Sequence, residues 1–64
     1  MINGNQFKDM ASLVGKMKNQ EAKDYVVKHW EVLKEVCQTA DQGWGLDFID
    51  ALASEDLQEI QKFI

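Results

Sequence analysis

The stretch EAKDYVVKHWEVLKEVCQTA, residues 21–40, is the longest segment of this 64-residue chain in which apolar side chains recur without interruption. It contains no glycine or proline, and at 3.6 residues per turn its apolar side chains cover one broad face of a helix. Those side chains are Ala22, Tyr25, Val26, Trp30, Val32, Leu33, Val36, Cys37 and Ala40. Val32 and Val36 lie toward one side of the face and Trp30 toward the other, so the face is wider than contact with one neighbouring helix needs. We therefore expect a central helix with partners on both sides.

The rest of the chain predicts shorter helices around this one. Apolar residues Phe7, Met10, Val14 and Met17 recur at spacings of three, four and three, which predicts an amphipathic first helix. Similar patterns follow in the last third of the chain. The expected fold is a single all-α domain, residues 1–64. It is a small bundle of three to four helices, at about 5–18, 21–40, 46–53 and 55–64, around a central second helix.

Residues that favour helix ends set these boundaries. Asn3 or Asn5 can cap the first helix by accepting an amide hydrogen bond, and Asn19 can stop it in a left-handed conformation. Gly43 suits the position just past the C-terminus of the second helix. Ser54, followed by two acids, is a typical N-cap for the last helix. The short connection after the first helix predicts that the first two helices are antiparallel neighbours.

Two features have two interpretations each, and the apolar C-terminal end has one. Trp44, between two glycines, either folds back on the core or anchors a partner, since tryptophan is enriched at binding hot spots. Gly15 is either a tolerated weak point of the first helix or a site of close backbone approach. The chain ends on Phe63 and Ile64, and an apolar end indicates a segment that docks on another surface.

The small size of the chain points to a partner. A core of 64 residues rarely gives more than about 3–5 kcal/mol of net stability, and proteins of this size often add disulfides, a metal or a partner. Cys37 is the only cysteine, so no disulfide can form within one chain, and Cys37 and His29 are the whole supply of soft metal ligands. We expect no metal and no cofactor, which leaves another polypeptide, either a second copy or a different protein.

The compartment is predicted from the same features. A single free thiol favours a reducing environment. The first residues have no basic region, and no stretch approaches the roughly 18 apolar residues of a membrane span. We therefore expect a cytoplasmic protein with no signal peptide and no membrane contact.

Charge is divided unevenly between the two parts of the chain. The net charge is −4, with +1 in residues 1–36 and −5 in residues 37–64. The chain contains no arginine, the residue that most often contacts guanine, and its acidic later helices would repel phosphate. Nucleic acid is therefore a disfavoured partner.

The candidates for chemistry are weak. His29 lies within the apolar face as a boundary core histidine or a pH-sensitive contact. Cys37 lies eight residues further on, about 12 Å along a helix axis, and suits a small core position. Asp47 and Asp50 share one helix face, but an acid–base pair needs two different environments in a cleft. We expect no enzyme activity and no catalytic residue.

The sequence leaves three functional hypotheses open. The first is a small non-enzymatic protein–protein interaction module or regulatory adaptor, acting through an apolar helical face as a homodimer or in a hetero-complex. The second is an inhibitor or decoy of the kind carried by phages and mobile elements, whose acidic C-terminal half occupies a basic, nucleic-acid-binding site on a host protein. The third and least favoured is a small DNA-binding regulator. The candidate protein-binding residues are Trp30, Trp44, Asp47, Asp50, Asp56, Glu59, Phe63 and Ile64.

Overall fold

The computed structural model describes residues 2–64, which form five helices. These are α1 (Gly4–Lys16), α2 (Gln20–Lys28), α3 (Trp30–Thr39), α4 (Gln42–Ser54) and α5 (Leu57–Gln61). The prediction of a small all-α bundle is confirmed. The boundaries of the individual helices differ from the expected ones, and each difference has a local physical cause.

The first helix begins one residue before its expected start. Asn3 is the N-cap, and its Oδ1 accepts a hydrogen bond from the Gln6 N–H at 2.8 Å. The Gln6 side chain reaches back to the Asn3 N–H, which completes a capping box. Met10, Val14 and Met17 are buried, as the spacing predicts. Gly15 faces open space, so the alternative of a close backbone approach at this glycine is wrong.

The predicted helix at 21–40 is divided in two at His29. The backbone there has φ −102° and ψ 21°, which ends α2, and α3 starts at the next residue. The His29 N–H and its ring Nδ1 both lie within hydrogen-bond distance of the Tyr25 carbonyl, at 3.1 and 2.8 Å. The imidazole ring thus hydrogen-bonds a backbone carbonyl at the end of α2. Asn19 does not stop α1 in a left-handed conformation, because at φ −78° it is instead the N-cap of α2.

The expected loop at residues 43–45 is helical. Asp41 caps α4, with its Oδ1 accepting from the Trp44 N–H at 2.8 Å, so the helix starts at Gln42 rather than at 46. Gly43 therefore lies inside α4 and does not follow the end of the preceding helix. Gly45 is buried, and a Cβ added there would lie 3.0 Å from Gln6 Oε1 and 3.1 Å from Ile2 Cγ2. The glycine allows α1 and α4 to approach closely at this end.

The start of the last helix lies later than predicted. Ser54 is the last residue of α4, and its hydroxyl donates to the Ala51 carbonyl at 2.7 Å. Asp56 is the N-cap of α5, accepting from the Gln58 N–H at 3.0 Å. Between them Glu55 has φ 55°, and it is the only residue between 2 and 64 with a positive φ. The left-handed residue of this chain is therefore Glu55.

Helices α1 and α4 make the most extensive contact in the bundle, and two hydrogen bonds show that they run parallel. At their starts, Gln6 Nε2 donates to the Gln42 carbonyl at 3.1 Å. Just beyond their ends, Asn19 Nδ2 donates to the Glu55 carbonyl at 3.0 Å. Both bonds join residues 36 apart in sequence, so the two helices are aligned along their full length.

The buried core of the bundle includes side chains from every helix. Helix α2 contacts α1, α3 and α5, which agrees with the expected central position of residues after 20. The largest fully buried side chains come from all five helices: Phe48, Met10, Leu33, Leu52, Ile60 and Val26. None of the helices within residues 2–64 combines the length and the apolar character that crossing a bilayer requires.

Candidate protein-binding surfaces

One side of the wide apolar face on α2 and α3 remains uncovered. Leu33 and Cys37 point into the core, whereas Val32 is 45% exposed and Val36 is half-buried. Tyr25 and His29, earlier on the same side, are also half-buried. Tyr25 and His29 lie four residues apart at the end of α2, and Val32 and Val36 lie four residues apart on α3, so the members of each pair are neighbours on the helix surface. We call these four residues the α2–α3 stripe.

The N-terminal half of the stripe is held rigid. The rings of Tyr25 and His29 stack with centroids 4.2 Å apart and an interplanar angle of 30°. The hydrogen bond between His29 Nδ1 and the Tyr25 carbonyl fixes the imidazole orientation. An aromatic pair followed by two valines forms a surface whose side chains lose little rotamer freedom on binding.

Among the four predicted apolar binding residues, Trp44 and Phe63 are brought together. Trp44 stacks on Phe48 with centroids 5.1 Å apart, and Phe63 meets both rings edge-on at 5.8 and 5.5 Å. Trp44, Phe63 and Ile64 are all half-buried against the chain's own core. The apolar C-terminal end thus docks on its own bundle, and a partner role for these residues stays a prediction.

Trp30 belongs to a different place, at the start of α3. Its ring contacts Phe7 with centroids 5.4 Å apart. Phe7 also borders an open groove of about 320 Å³ between the start of α1 and α3, with Ile2 and Cys37 in its wall and Lys34 at its edge. Cys37 is buried, and this burial raises the pKa of its thiol, which keeps the sulfur protonated and weakly nucleophilic.

The four acidic residues predicted to bind a partner are all exposed, but they differ in their contacts within the chain. Asp56 caps α5, and Glu59 pairs with the Lys62 ammonium at 3.1 Å. Asp47 and Asp50 lie on the outer side of α4, a helix without lysine, and within residues 2–64 neither makes an ion pair. Leu46 lies beside them and is 59% exposed. The carboxylates of Asp56 and Glu59 therefore have partners within the chain, whereas those of Asp47 and Asp50 make no ion pair within residues 2–64.

Glu55 has a role that the sequence did not indicate. Its Oε1 accepts from the backbone N–H groups of Lys18 and Asn19 at 2.6 and 2.7 Å. These two hydrogen bonds, together with the nearby Lys18 ammonium, lower the pKa of the carboxyl. The run Ser54-Glu55-Asp56 is typical of a helix start, and nothing in it signals bonds to residues 37 and 36 positions earlier.

The exposed Leu46 and the buried Gln6 were also missed. Gln6 is only 8% exposed, and its amide is satisfied by the Gln42 carbonyl, which short-range patterns cannot reveal. Residues 2–64 bring together no group of three or more His, Cys, Asp or Glu side chains that could hold a metal ion. Comparison of the chain with protein-family models, with curated proteins and with solved structures finds no match.

Proposed function

We propose that this protein is a small cytoplasmic, non-enzymatic interaction module whose α2–α3 stripe packs against a helix of another polypeptide. The observation that supports it is that only one side of the apolar face is covered. Leu33 is fully buried, while the preceding residue, Val32, is 45% exposed. Aromatic and valine side chains in one stripe match a partner helix with apolar residues at i, i+3, i+4 and i+7. The partner is a second copy or a heterologous protein.

The test compares two valines of similar exposure. Val27 is 55% exposed, but its position places it on a different side of α2 from Tyr25 and His29. Val32→Asp should weaken association at least about tenfold, as expected for a charge at the centre of an apolar contact, and Val27→Asp should leave it unchanged. Both variants should melt within a few degrees of the parent protein, since both side chains are exposed.

Two measurements cover the two kinds of partner. Sedimentation velocity at micromolar concentration detects self-association, and quantitative capture from the native host detects a heterologous protein. Equal binding by the Val32→Asp and Val27→Asp proteins would contradict the proposal.

A second candidate is the decoy or inhibitor, which the outer side of α4 supports. Leu46 is exposed beside two carboxylates that make no ion pair within residues 2–64, so this face resembles an acidic surface with one apolar anchor. A basic site on a larger protein would complement it. The acids that carry this candidate are Asp47 and Asp50, because Asp56 and Glu59 already have partners within the chain.

Neutralising these two acids separates the candidates. Asp47→Asn with Asp50→Asn should abolish binding of a basic partner, and the parent complex should weaken steeply as ionic strength rises. The matched control, Asp9→Asn with Glu35→Gln, removes the same charge from exposed positions elsewhere. If both double variants bind as the parent does, the acidic surface only keeps the protein soluble.

A further inference from the structure

The last segment of the chain, residues 56–64, is attached to the bundle by a few side chains. Helix α5 has five residues, and a helix this short has no independent stability in water. Ile60 is fully buried, and Phe63 lies edge-on against Trp44 and Phe48. The segment therefore depends on its contacts with the other helices.

The chain enters this segment through Glu55, the one left-handed residue among residues 2–64. At φ 55° the Glu55 backbone is strained, because the Cβ of a non-glycine residue crowds its own peptide there. The strain is compensated by three hydrogen bonds to the α1–α2 connection: two accepted by the Glu55 carboxylate and one by its carbonyl, from Asn19 Nδ2. All three lie at the surface, where water competes for them.

The opposite end of the α1–α4 pair is built differently. Gln6 and Gly45 are buried, and their contact involves neither Glu55 nor residues 56–64. Releasing the C-terminal segment would therefore leave the parallel pair joined.

We propose that Glu55 is a latch that holds residues 56–64 as a lid over the rings of Trp44 and Phe48, and that this lid opens while α1 to α4 stay folded. Opening exposes an aromatic surface that the closed state covers, because Phe48 is fully buried and Phe63 packs against it. The residues that carry this inference, Glu55, Ile60 and Phe63, are not those of the α2–α3 stripe, so it does not depend on the proposed function.

Residue-resolved amide hydrogen exchange measured by NMR tests the lid on the full chain. In Glu55→Ala, the amides of Ile60 to Ile64 should exchange at least about fivefold faster than in the parent, while those of Met10 and Val14 change less than about twofold. The control is Glu59→Ala, which removes a carboxylate of α5 that has no bond to the α1–α2 connection. It should leave both sets of amides close to the parent values.

Lowering the pH provides a second test, which leaves the Glu55 side chain in place. The charged group that acts on the Glu55 carboxylate is the Lys18 ammonium, and the neighbouring Asp56 carboxylate is engaged at Gln58. As the pH falls below the ordinary glutamate pKa of about 4.3, α5 amides of the parent should lose protection before those of α1. In Glu55→Gln they should be weakly protected already at pH 7. Parallel loss of protection in α5 and α1, or unchanged α5 protection in both Glu55 variants, would overturn the proposal.

Discussion

The two ends of the α1–α4 pair are joined by opposite kinds of chemistry. At the start, a neutral amide is buried between two helices: Gln6 donates to the Gln42 carbonyl beside Gly45. At the other end, the Glu55 carboxylate accepts two backbone amides at the protein surface. The first contact depends on shape and desolvation and is insensitive to pH. The second depends on charge and is open to water. We therefore expect substitutions to be most damaging at the buried end and acid to act at the exposed end.

The largest effect should come from filling the buried end. Gly45→Val would place branched carbons against Gln6 Oε1 and Ile2, and overpacking of this kind costs about 3 kcal/mol. Gly15→Val is the matched control, because a side chain there meets nothing within 4 Å. Urea unfolding of both variants measures the difference. Similar unfolding midpoints for the two would show that α1 and α4 do not approach as closely as described.

Removing the buried amide should have the next largest effect. Gln6→Leu replaces the amide with an apolar side chain of similar size, which leaves the Gln42 carbonyl without this donor and breaks the capping box. We expect a loss of about 1–3 kcal/mol in the free energy of unfolding. Gln20→Leu, at an exposed helix position, should stay within about 0.5 kcal/mol of the parent. A Gln6→Leu protein as stable as its control would mean that this end is held by shape alone.

The exposed end should respond to acid. Folding lowers the pKa of Glu55, so its stabilising contribution is fully present above the ordinary glutamate value of about 4.3 and is lost as the pH falls through the lower folded value. Glu55→Gln should therefore be less stable than the parent at pH 7. The two urea midpoints should converge as the pH falls below the ordinary glutamate value and through the lower folded pKa. A difference that stays constant with pH would assign the effect of Glu55 to packing instead of charge.

The smallest effect should be a gain in stability at Gly15 of α1. Gly15 lies inside α1 and faces open space, so Gly15→Ala adds helix propensity without a clash. We expect the free energy of unfolding to rise by about 0.5–1 kcal/mol. Thermal melting followed by circular dichroism would detect it as a shift of a few degrees. A lower melting temperature would mean that the outer face of α1 is covered in solution.

The sequence predicted what depends on neighbours along the chain. The all-α class follows from the apolar periodicity, and the cap at Asn3 from residue type and position. Three features were not predicted, because their causes lie elsewhere in the fold. Gly45 was taken for a loop residue, although close contact with Gln6 makes glycine suitable inside α4. The break at His29 depends on a ring that turns back to the Tyr25 carbonyl, and the strained backbone at Glu55 depends on bonds to Lys18 and Asn19.

The candidate surface was predicted in part for the same reason. The width of the apolar face between residues 21 and 40 could be read from helical spacing. Which side of this apolar face the bundle covers could not be predicted from the sequence. It depends on how α3 lies against the start of α1, where the Ile2 N–H donates to the Cys37 carbonyl at 3.2 Å. The acidic residues could be counted in the sequence. Their division into caps, pairs and free groups required the structure.

The constant offset of 36 residues between α1 and α4 has a consequence for the order of folding. Parallel neighbours cannot be joined by a tight turn, so the polypeptide must first run back through α2 and α3 before its fourth helix can return beside its first. The chain loses the conformational entropy of closing this long crossover before the contacts between α1 and α4 form. We therefore expect local helices to form early and the parallel pair to assemble in the rate-limiting step. Lengthening the crossover should slow refolding more than it changes the final balance between folded and unfolded chains.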